Sequence, residues 1–494
     1  MQQEMGKWRV FFTEREHARP RRSDTPLINV GDLDGWLDAH DVLDGSPFLI
    51  DPHGGYDVEL NRFFQTEMLG EPYNTQAAVA YDLKKFLAFL QDNRGGASWR
   101  GATPEDRAAY KQWRTVDPRG PHVDLVSWDR EVATVNRFYR WAASPRRRYV
   151  ASNPIVQREA RSHPASGRTT QGETPAEASH LGPRQHLDWL PVKLYQQWRD
   201  VGLRGFTTAG LPDGSFRGRC GARNAAFADL MIRTGLRVSE QTYLTMFELP
   251  EVVSGMGSAR FWLPKQIAKG GSARFVYIPV PVLRDVWDFI EVERAEAVER
   301  GRASGAYDRI RNPLVIEDPR KPRVVIGGRA VKVSSLDASE RRRLLIRTAD
   351  GLEPAVLWLN ELGLPGKRSG WREVFDRANE RCARLGVRIS AHPHALRHSF
   401  AVITLEQLQR GHIVELAAMN PDQRLTYQMV FGDPLNWVRI RLGHRSITTT
   451  QIYLHTLQEL EMQTRMALVP DEWDAVAVHP VELDQIEAAA TSGH

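Results

Sequence analysis

The sequence predicts a mainly α-helical protein of more than one domain with small β-hairpins, and three observations carry that reading. At 494 residues with 41% apolar side chains, the chain is too long for one ordinary core and has enough apolar material for two or three. From Thr75 the apolar residues Val79, Leu83, Phe86, Leu87 and Leu90 recur at offsets of four, seven, eight and eleven, which is one face of a helix. Two stretches break the helical pattern with β-branched and aromatic runs around glycines. In one, Phe261-Trp262-Leu263 and Phe275-Val276-Tyr277-Ile278 flank Lys269-Gly270-Gly271-Ser272; in the other, Val324-Val325-Ile326 and Ala330-Val331-Lys332-Val333 flank Gly327-Gly328. Each reads as a hairpin.

The elements follow in order. Residues 1–70 are an extension of unknown role, with a basic run from Arg19 to Arg22. Residues 71–150 form a small helical domain. Its second helix is announced by Thr103-Pro104-Glu105-Asp106, with a threonine N-cap, proline at the first helical position and acids in the first turn. A third helix runs from Ser127 to about Ala143 with Val132, Val135, Phe138 and Tyr139 facing inward. Residues 151–188 lose apolar periodicity and read as a basic flexible linker. The stretch 144–170 carries six arginines against the single acid Glu159, a composition that suits either a solvated tether or a segment that tracks phosphates. Residues 189–470 form the larger, mainly helical domain that contains both hairpins. Residues 471–494 carry six acids and no Lys or Arg, an acidic tail.

Composition excludes several classes. Cys220 and Cys382 stand alone, with no His or Cys at ligand spacing, so neither a disulfide framework nor a metal site is expected. The first residues, Met1 to Trp8, lack the apolar core of a signal peptide. No later stretch approaches the roughly 18 to 20 apolar residues that span a bilayer. A cytoplasmic protein without membrane or cofactor partners is the expectation. The net charge of +5 decides little alone; the distribution matters more, and residues 300–350 hold thirteen Lys or Arg against six acids.

Six residues scattered over the chain carry the candidate chemistry. They lie in Thr234-Gly235-Leu236-Arg237-Val238-Ser239-Glu240, Ala268-Lys269-Gly270-Gly271, His394-Ala395-Leu396-Arg397-His398, and Leu442-Gly443-His444 leading to Tyr453. Breaking a DNA strand without water, metal or a high-energy cofactor demands a nucleophile that keeps the phosphoryl bond energy in a covalent intermediate, and a tyrosine phenol meets that need. Negative charge then builds on the non-bridging phosphate oxygens, where Arg237 and Arg397 can each offer paired donors. Lys269, at the tip of a hairpin, is placed to protonate the departing 5′ oxygen. His394 takes the role of base toward Tyr453, and His444 that of a phosphate donor. Taken singly, each has an ordinary alternative: a surface arginine, a turn lysine, a core histidine, a half-buried tyrosine. Their joint occurrence shifts the balance.

In that order and setting the segments resemble the catalytic core of the tyrosine recombinase (phage integrase) family. The stretch from Leu442 to His455 reads almost word for word like the Xer-type nucleophile region, and the resemblance covers roughly residues 75–468. It implies a SAM-like helical core-binding domain over 71–150 and a catalytic domain over 189–470, closing as a C-shaped clamp around double-stranded DNA. It also implies four protomers on two synapsed sites, exchanging strands through a Holliday junction, with an accessory recombinase or directionality factor as a further partner. The activity implied is site-specific recombination for integration, excision or transposition of a mobile element. Type IB topoisomerase activity, or a catalytically idle DNA-binding role, are the alternatives.

Three departures from the family pattern stand out. The interval from Lys269 to His394 is 125 residues and contains an insertion near 300–350 with the basic hairpin, an added element suited to contacting DNA or another protomer. The interval from Arg397 to His444 is 47 residues, with a second insertion over 411–437. Ser272 stands where the family's Lys-Gly-x-Lys-x-Arg pattern has its second lysine, while Arg274 is kept.

Overall fold

In the computed structural model the described residues are 6–13, 45–159, 173–179, 187–417, 419, 433–444, 446 and 449–458. The run from Arg19 to Arg22, the middle of the 151–188 segment, most of the 411–437 insertion and the acidic tail lie outside them. The chain divides into two compact units, Met1–Gly182 and Pro183–His494.

The first unit is a helical bundle with an antiparallel strand pair at its start. Strands β1 (Arg9–Phe12) and β2 (Pro47–Ile50) precede helices α1 (Val58–Thr66), α2 (Tyr73–Asn93), α3 (Pro104–Thr115) and α4 (Leu125–Ala142). Val79, Leu83, Phe86, Leu87 and Leu90 of α2 are all buried, as are Val132, Val135, Phe138 and Tyr139 of α4. Thr103 caps α3 in a reciprocal box with Asp106. Helix α4 starts two residues before the expected Ser127, because the Asp124 carboxylate accepts from the Ser127 backbone N–H at 2.6 Å.

Leu49, Leu60, Phe63, Phe64 and Met68 belong to the same core. The described part of the N-terminal 70 residues therefore helps build this unit. The segment expected as a flexible linker is, in its described residues, folded onto the helices. Strands β3 (Gln157–Glu159) and β4 (Glu173–Pro175) pair antiparallel, Ile155 is buried, and Trp128 donates its indole N–H to the Glu177 carbonyl at 3.0 Å. A few anchors suffice where α4 supplies the receiving surface, and such anchors carry no periodicity to read.

The second unit is mainly helical around small sheets, in line with the predicted class. Helix α5 (Val192–Trp198) leads to α6 (Gly221–Thr234) and the short α7 (Val238–Thr242). Helix α6 is buried from Ala225 to Ile232, a run apolar except for Asp229, and packs in a core that includes Trp198, Leu263, Leu283, Trp358 and Phe375. The first predicted hairpin is β5 (Ser258–Leu263) paired with β6 (Arg274–Pro279), with Phe261 opposite Val276. Its turn is longer than the tight one the sequence suggests: residues 264–273 intervene, with Lys269–Gly271 in a single 3₁₀ turn. Helices α8 (Val280–Phe289) and α9 (Ala295–Ala303) follow.

The insertion near 300–350 is a folded module. β7 (Leu314–Ile316) runs parallel to β10 (Leu344–Thr348), which pairs antiparallel with β11 (Gly351–Pro354). Between them stands the second predicted hairpin, β8 (Arg323–Ile326) and β9 (Arg329–Lys332), closed by Gly327 and Gly328 at φ 55° and 75°. Two consecutive positive φ values suit the right-handed twist of a two-residue hairpin turn. The short helix α10 (Ala338–Arg342) carries Arg341, wholly buried, whose guanidinium meets the Glu248 carboxylate at 2.9 Å and the Tyr243 carbonyl at 3.0 Å. That buried pair ties the module to the segment after α7. Helices α11 (Arg368–Arg384), α12 (Pro393–Ala417) and α13 (Pro434–Leu442) complete the unit with α14, residues 449–458.

Candidate active site

Glu240 on α7 is the organising carboxylate. Its position follows from Gly235, which ends α6 in the left-handed conformation at φ 67°. A Cβ there would meet the Phe400 ring at 2.4 Å, so glycine is required both by conformation and by close approach. The chain then turns through Leu236 and Arg237 into α7. The wholly buried Glu240 side chain accepts from the Arg237 backbone N–H at 3.0 Å and from its guanidinium at 2.9 Å. It also accepts from the Lys269 backbone N–H at 3.3 Å and from Arg274 on β6 at 2.7 Å. Burial on its own raises the carboxyl, but the hydrogen bonds and charge of Arg274, with the charge of Arg237, outweigh it and hold the group at about 2. One anion thus fixes the first arginine and the lysine-bearing turn together.

Arg397 lies one helical turn after His394 on α12 and is 2% exposed. It donates to the carbonyl of Gly235, and to that of Leu442 at 2.5 Å. Its side chain therefore clamps the end of α6 to the end of α13. Arg274 reinforces the same junction from the hairpin, donating to the Arg441 carbonyl at 2.8 Å. Gly443 ends α13 at φ 64°, and a Cβ on it would meet Ser272 Oγ at 2.9 Å and Arg274 at 3.2 Å. The serine that departs from the family pattern therefore packs where the glycine before His444 must pass, and its hydroxyl donates to the Lys269 carbonyl at 3.1 Å.

His444 and Tyr453 close the site. His444 Nε2 lies 3.3 Å from the Arg397 guanidinium and its Nδ1 lies 3.0 Å from the Thr450 hydroxyl. Since Arg397 can only donate, Nε2 accepts and Nδ1 carries the proton. The Tyr453 ring, 2% exposed, lies nearly parallel to that of His444 with centroids 6.3 Å apart. The phenol oxygen sits 3.0 Å from Nδ1 of His398, whose ring packs edge-on against His394 with centroids 4.3 Å apart.

The electrostatics follow from burial beside cations. Burial first, then the neighbouring His394 and Arg397, pulls His398 down to about 4; burial, then Arg397 and Arg237, pulls His444 to about 3. Both imidazoles are neutral at neutral pH. Burial raises the Tyr453 phenol, with Arg397 and Arg237 opposing the rise. Arg397 is drawn down to about 9 by burial and by Arg237, and remains a cation at pH 7. The arrangement holds a neutral phenol against a neutral proton acceptor, with guanidinium charge alongside.

Of the six residues expected from sequence, Arg237, Arg397, His444 and Tyr453 are linked by these contacts, and Lys269 joins through its backbone N–H while its side chain is exposed. His394 lies on the same face of α12 but reaches the phenol only by way of His398. The sequence assigns the base to His394 and gives no role to His398, Glu240 or Thr450, while Arg274 is marked there only as the arginine kept from the family pattern. His398 and Glu240 stood inside the quoted motifs. His398 follows His394 by four residues, the spacing that shares a helix face. Among the described residues no group of three or more His, Cys, Asp or Glu could hold a metal ion, and no helix is long and apolar enough to cross a membrane.

No protein-family model matches the chain. Among individual proteins it is similar to the tyrosine recombinase XerC of Lactobacillus delbrueckii subsp. bulgaricus, 22% identical over 400 residues that span 80% of this chain and 92% of the relative. It is similar also to the tyrosine recombinase XerD of Shewanella oneidensis, 23% identical over 394 residues, 79% of this chain and 90% of that one. Among solved structures, the Tn1549 transposon integrase in complex with a circular intermediate DNA aligns at TM-score 0.45 and 12% identity over 82% of this chain and 98% of that one. Over about four fifths of its length the chain is thus similar to tyrosine recombinases.

Proposed function

We propose that the protein is a site-specific DNA recombinase that cleaves and rejoins strands through a covalent 3′-phosphotyrosyl bond to Tyr453, in the integration, excision or transposition of a mobile element. The observation that carries the reading is the buried Tyr453 phenol held 3.0 Å from a neutral imidazole, with Arg397 and Arg237 lowering the cost of its ionisation. In the forward step the phenol oxygen attacks phosphorus, its proton passes to His398, and the bond from phosphorus to the 5′ oxygen breaks. Lys269 supplies the proton that this oxygen takes up. Arg237 and Arg397 neutralise the charge on the non-bridging oxygens. His444 joins them as donor once its proton moves from Nδ1 to Nε2, a tautomer switch that the arriving phosphate favours by drawing Arg397 toward itself. Rejoining is the reverse, with a 5′ hydroxyl from the partner duplex as nucleophile. No metal or cofactor enters. Exchange between two double-stranded sites takes four protomers, and a partner recombinase or directionality factor would bias the outcome.

The test is a nicked suicide duplex carrying the repeats that flank the gene. It should trap a covalent protein–DNA adduct, and Tyr453→Phe should abolish the adduct while retaining DNA binding. An adduct persisting in that variant overturns the nucleophile assignment. Relaxation of arbitrary supercoiled plasmid without site preference would point to a topoisomerase instead.

A further inference from the structure

The inserted module of residues 300–350 opens a cleft of about 900 Å³ against β5 and the segment Phe247 to Pro250. Arg260 and Trp262 line it from β5, and Arg320, Lys321, Arg323 and Lys332 line it from the module. All five cations are exposed, and among the described residues none of them forms an ion pair with an acid. The acid in the wall, Glu248, is already neutralised by the buried Arg341. Nearby Glu317 is paired with Arg347, and Asp318 accepts the Arg320 backbone N–H in a turn. Within the hairpin, Arg323 stands directly opposite Lys332. Like charges facing each other across strands are destabilising, so the module keeps a repulsive pair where a neutral residue would hold the hairpin better. A polyanion lying along the cleft would relieve that repulsion.

We propose that this cleft is a second binding surface for the duplex substrate, gripping the phosphodiester backbone beside the cleavage site, with Trp262 as a flat apolar wall at its rim. The inference rests on the recombinase reading for the identity of the polyanion. Continuity favours DNA over another anion: Trp262 precedes Lys269 by seven residues on one strand and turn. Seven residues reach at most about 25 Å, or roughly seven base pairs at about 3.4 Å each. The cleft would thus hold flanking DNA within that distance of the phosphate that Lys269 serves, and set an extended footprint. It adds affinity, not sequence choice, because backbone contacts position a duplex without reading it.

The test uses the full chain with Arg320, Lys321, Arg323 and Lys332 all changed to Ala, beside a control carrying Arg320→Lys and Arg323→Lys. Binding to a duplex of roughly 40 base pairs and arbitrary sequence is titrated with salt, where each phosphate contact contributes about −0.9 to the slope of log K against log salt. The four-fold variant should lose about 3 to 4 of that slope, the charge-retaining control should keep it, and both should melt like the parent. Adduct formation on a short suicide duplex that ends before the cleft should be unchanged. A slope unaltered in the four-fold variant overturns the proposal, as does a variant that binds DNA normally but loses self-association, which would make the cleft a contact between copies. If the parent forms no Tyr453 adduct yet the slope still falls, the recombinase reading fails and the cleft stands; an intact adduct with an unaltered slope is the converse.

Discussion

Replacing His398 by Ala removes the one side chain that, among the described residues, stands in hydrogen-bond contact with the Tyr453 phenol, at 3.0 Å. The phenol is 2% exposed, so bulk water is poorly placed to take over as proton acceptor. A positioned general base contributes about 10²- to 10⁴-fold to rate, and the lower end, about 2.7 kcal/mol at roughly 1.36 kcal/mol per decade, sets the minimum expected loss. The assay is single-turnover formation of the covalent adduct on a suicide duplex, followed from pH 5 to 9. In the parent protein His398, at about 4, is already neutral throughout that range, so the rate should change little with pH. In His398→Ala the phenol must ionise to solvent from a raised pKa, so the residual rate should climb about tenfold per pH unit. His394→Ala should cost far less and keep the flat profile. If His398→Ala stays within about threefold of the parent while His394→Ala loses two decades, the assignment of His398 is wrong and the base is His394.

Two further outcomes follow from the same contacts. Glu240→Ala leaves Arg274, 5% exposed, and Arg237 without their shared anion, and removing one partner of a buried pair costs about 3 to 5 kcal/mol; urea unfolding of the full chain should show it, and Glu240→Asp should recover part. The histidine pKa values of about 4 and about 3 lie below the unfolded value near 6.5, so acid protonates the unfolded chain first. Stability from these two groups is complete above about pH 6.5 and is lost as pH falls through about 4 and 3. The thermal midpoint should therefore drop across that window, more shallowly in His444→Gln.

Much of the site was legible because its residues sit in dense local motifs. The Thr-Gly-Leu-Arg turn, the His-x-x-Arg-His helix and the Leu-Gly-His segment each combine a chemical group with the glycine or helix spacing that aims it, and those are short-range properties. The helices of the first unit were legible for the same reason, since Val79 to Leu90 and Val132 to Tyr139 repeat at the helical period. What escaped was set by long-range contact. The three short strands β7, β10 and β11 have three to five residues each, too few to establish a period. The anchors that fold the 151–188 segment onto α4 are isolated residues with no pattern at all.

The sequence by itself determined which residues are chemically capable: a phenol, guanidinium groups, imidazoles and a turn lysine, on predictable local frames, in a chain of two helical units with hairpins. Only the tertiary structure decided which imidazole stands against the phenol. His394 and His398 share a helix face, and nothing in their spacing distinguishes them; the choice was made by where α14 brings Tyr453 against α12. It likewise decided that Glu240 binds three segments at once, and that the Ser272 departure is accommodated against Gly443. Spacing along a helix specifies direction about one axis, whereas a hydrogen bond between elements separated by 55 residues, as His398 and Tyr453 are, depends on how every intervening layer packs.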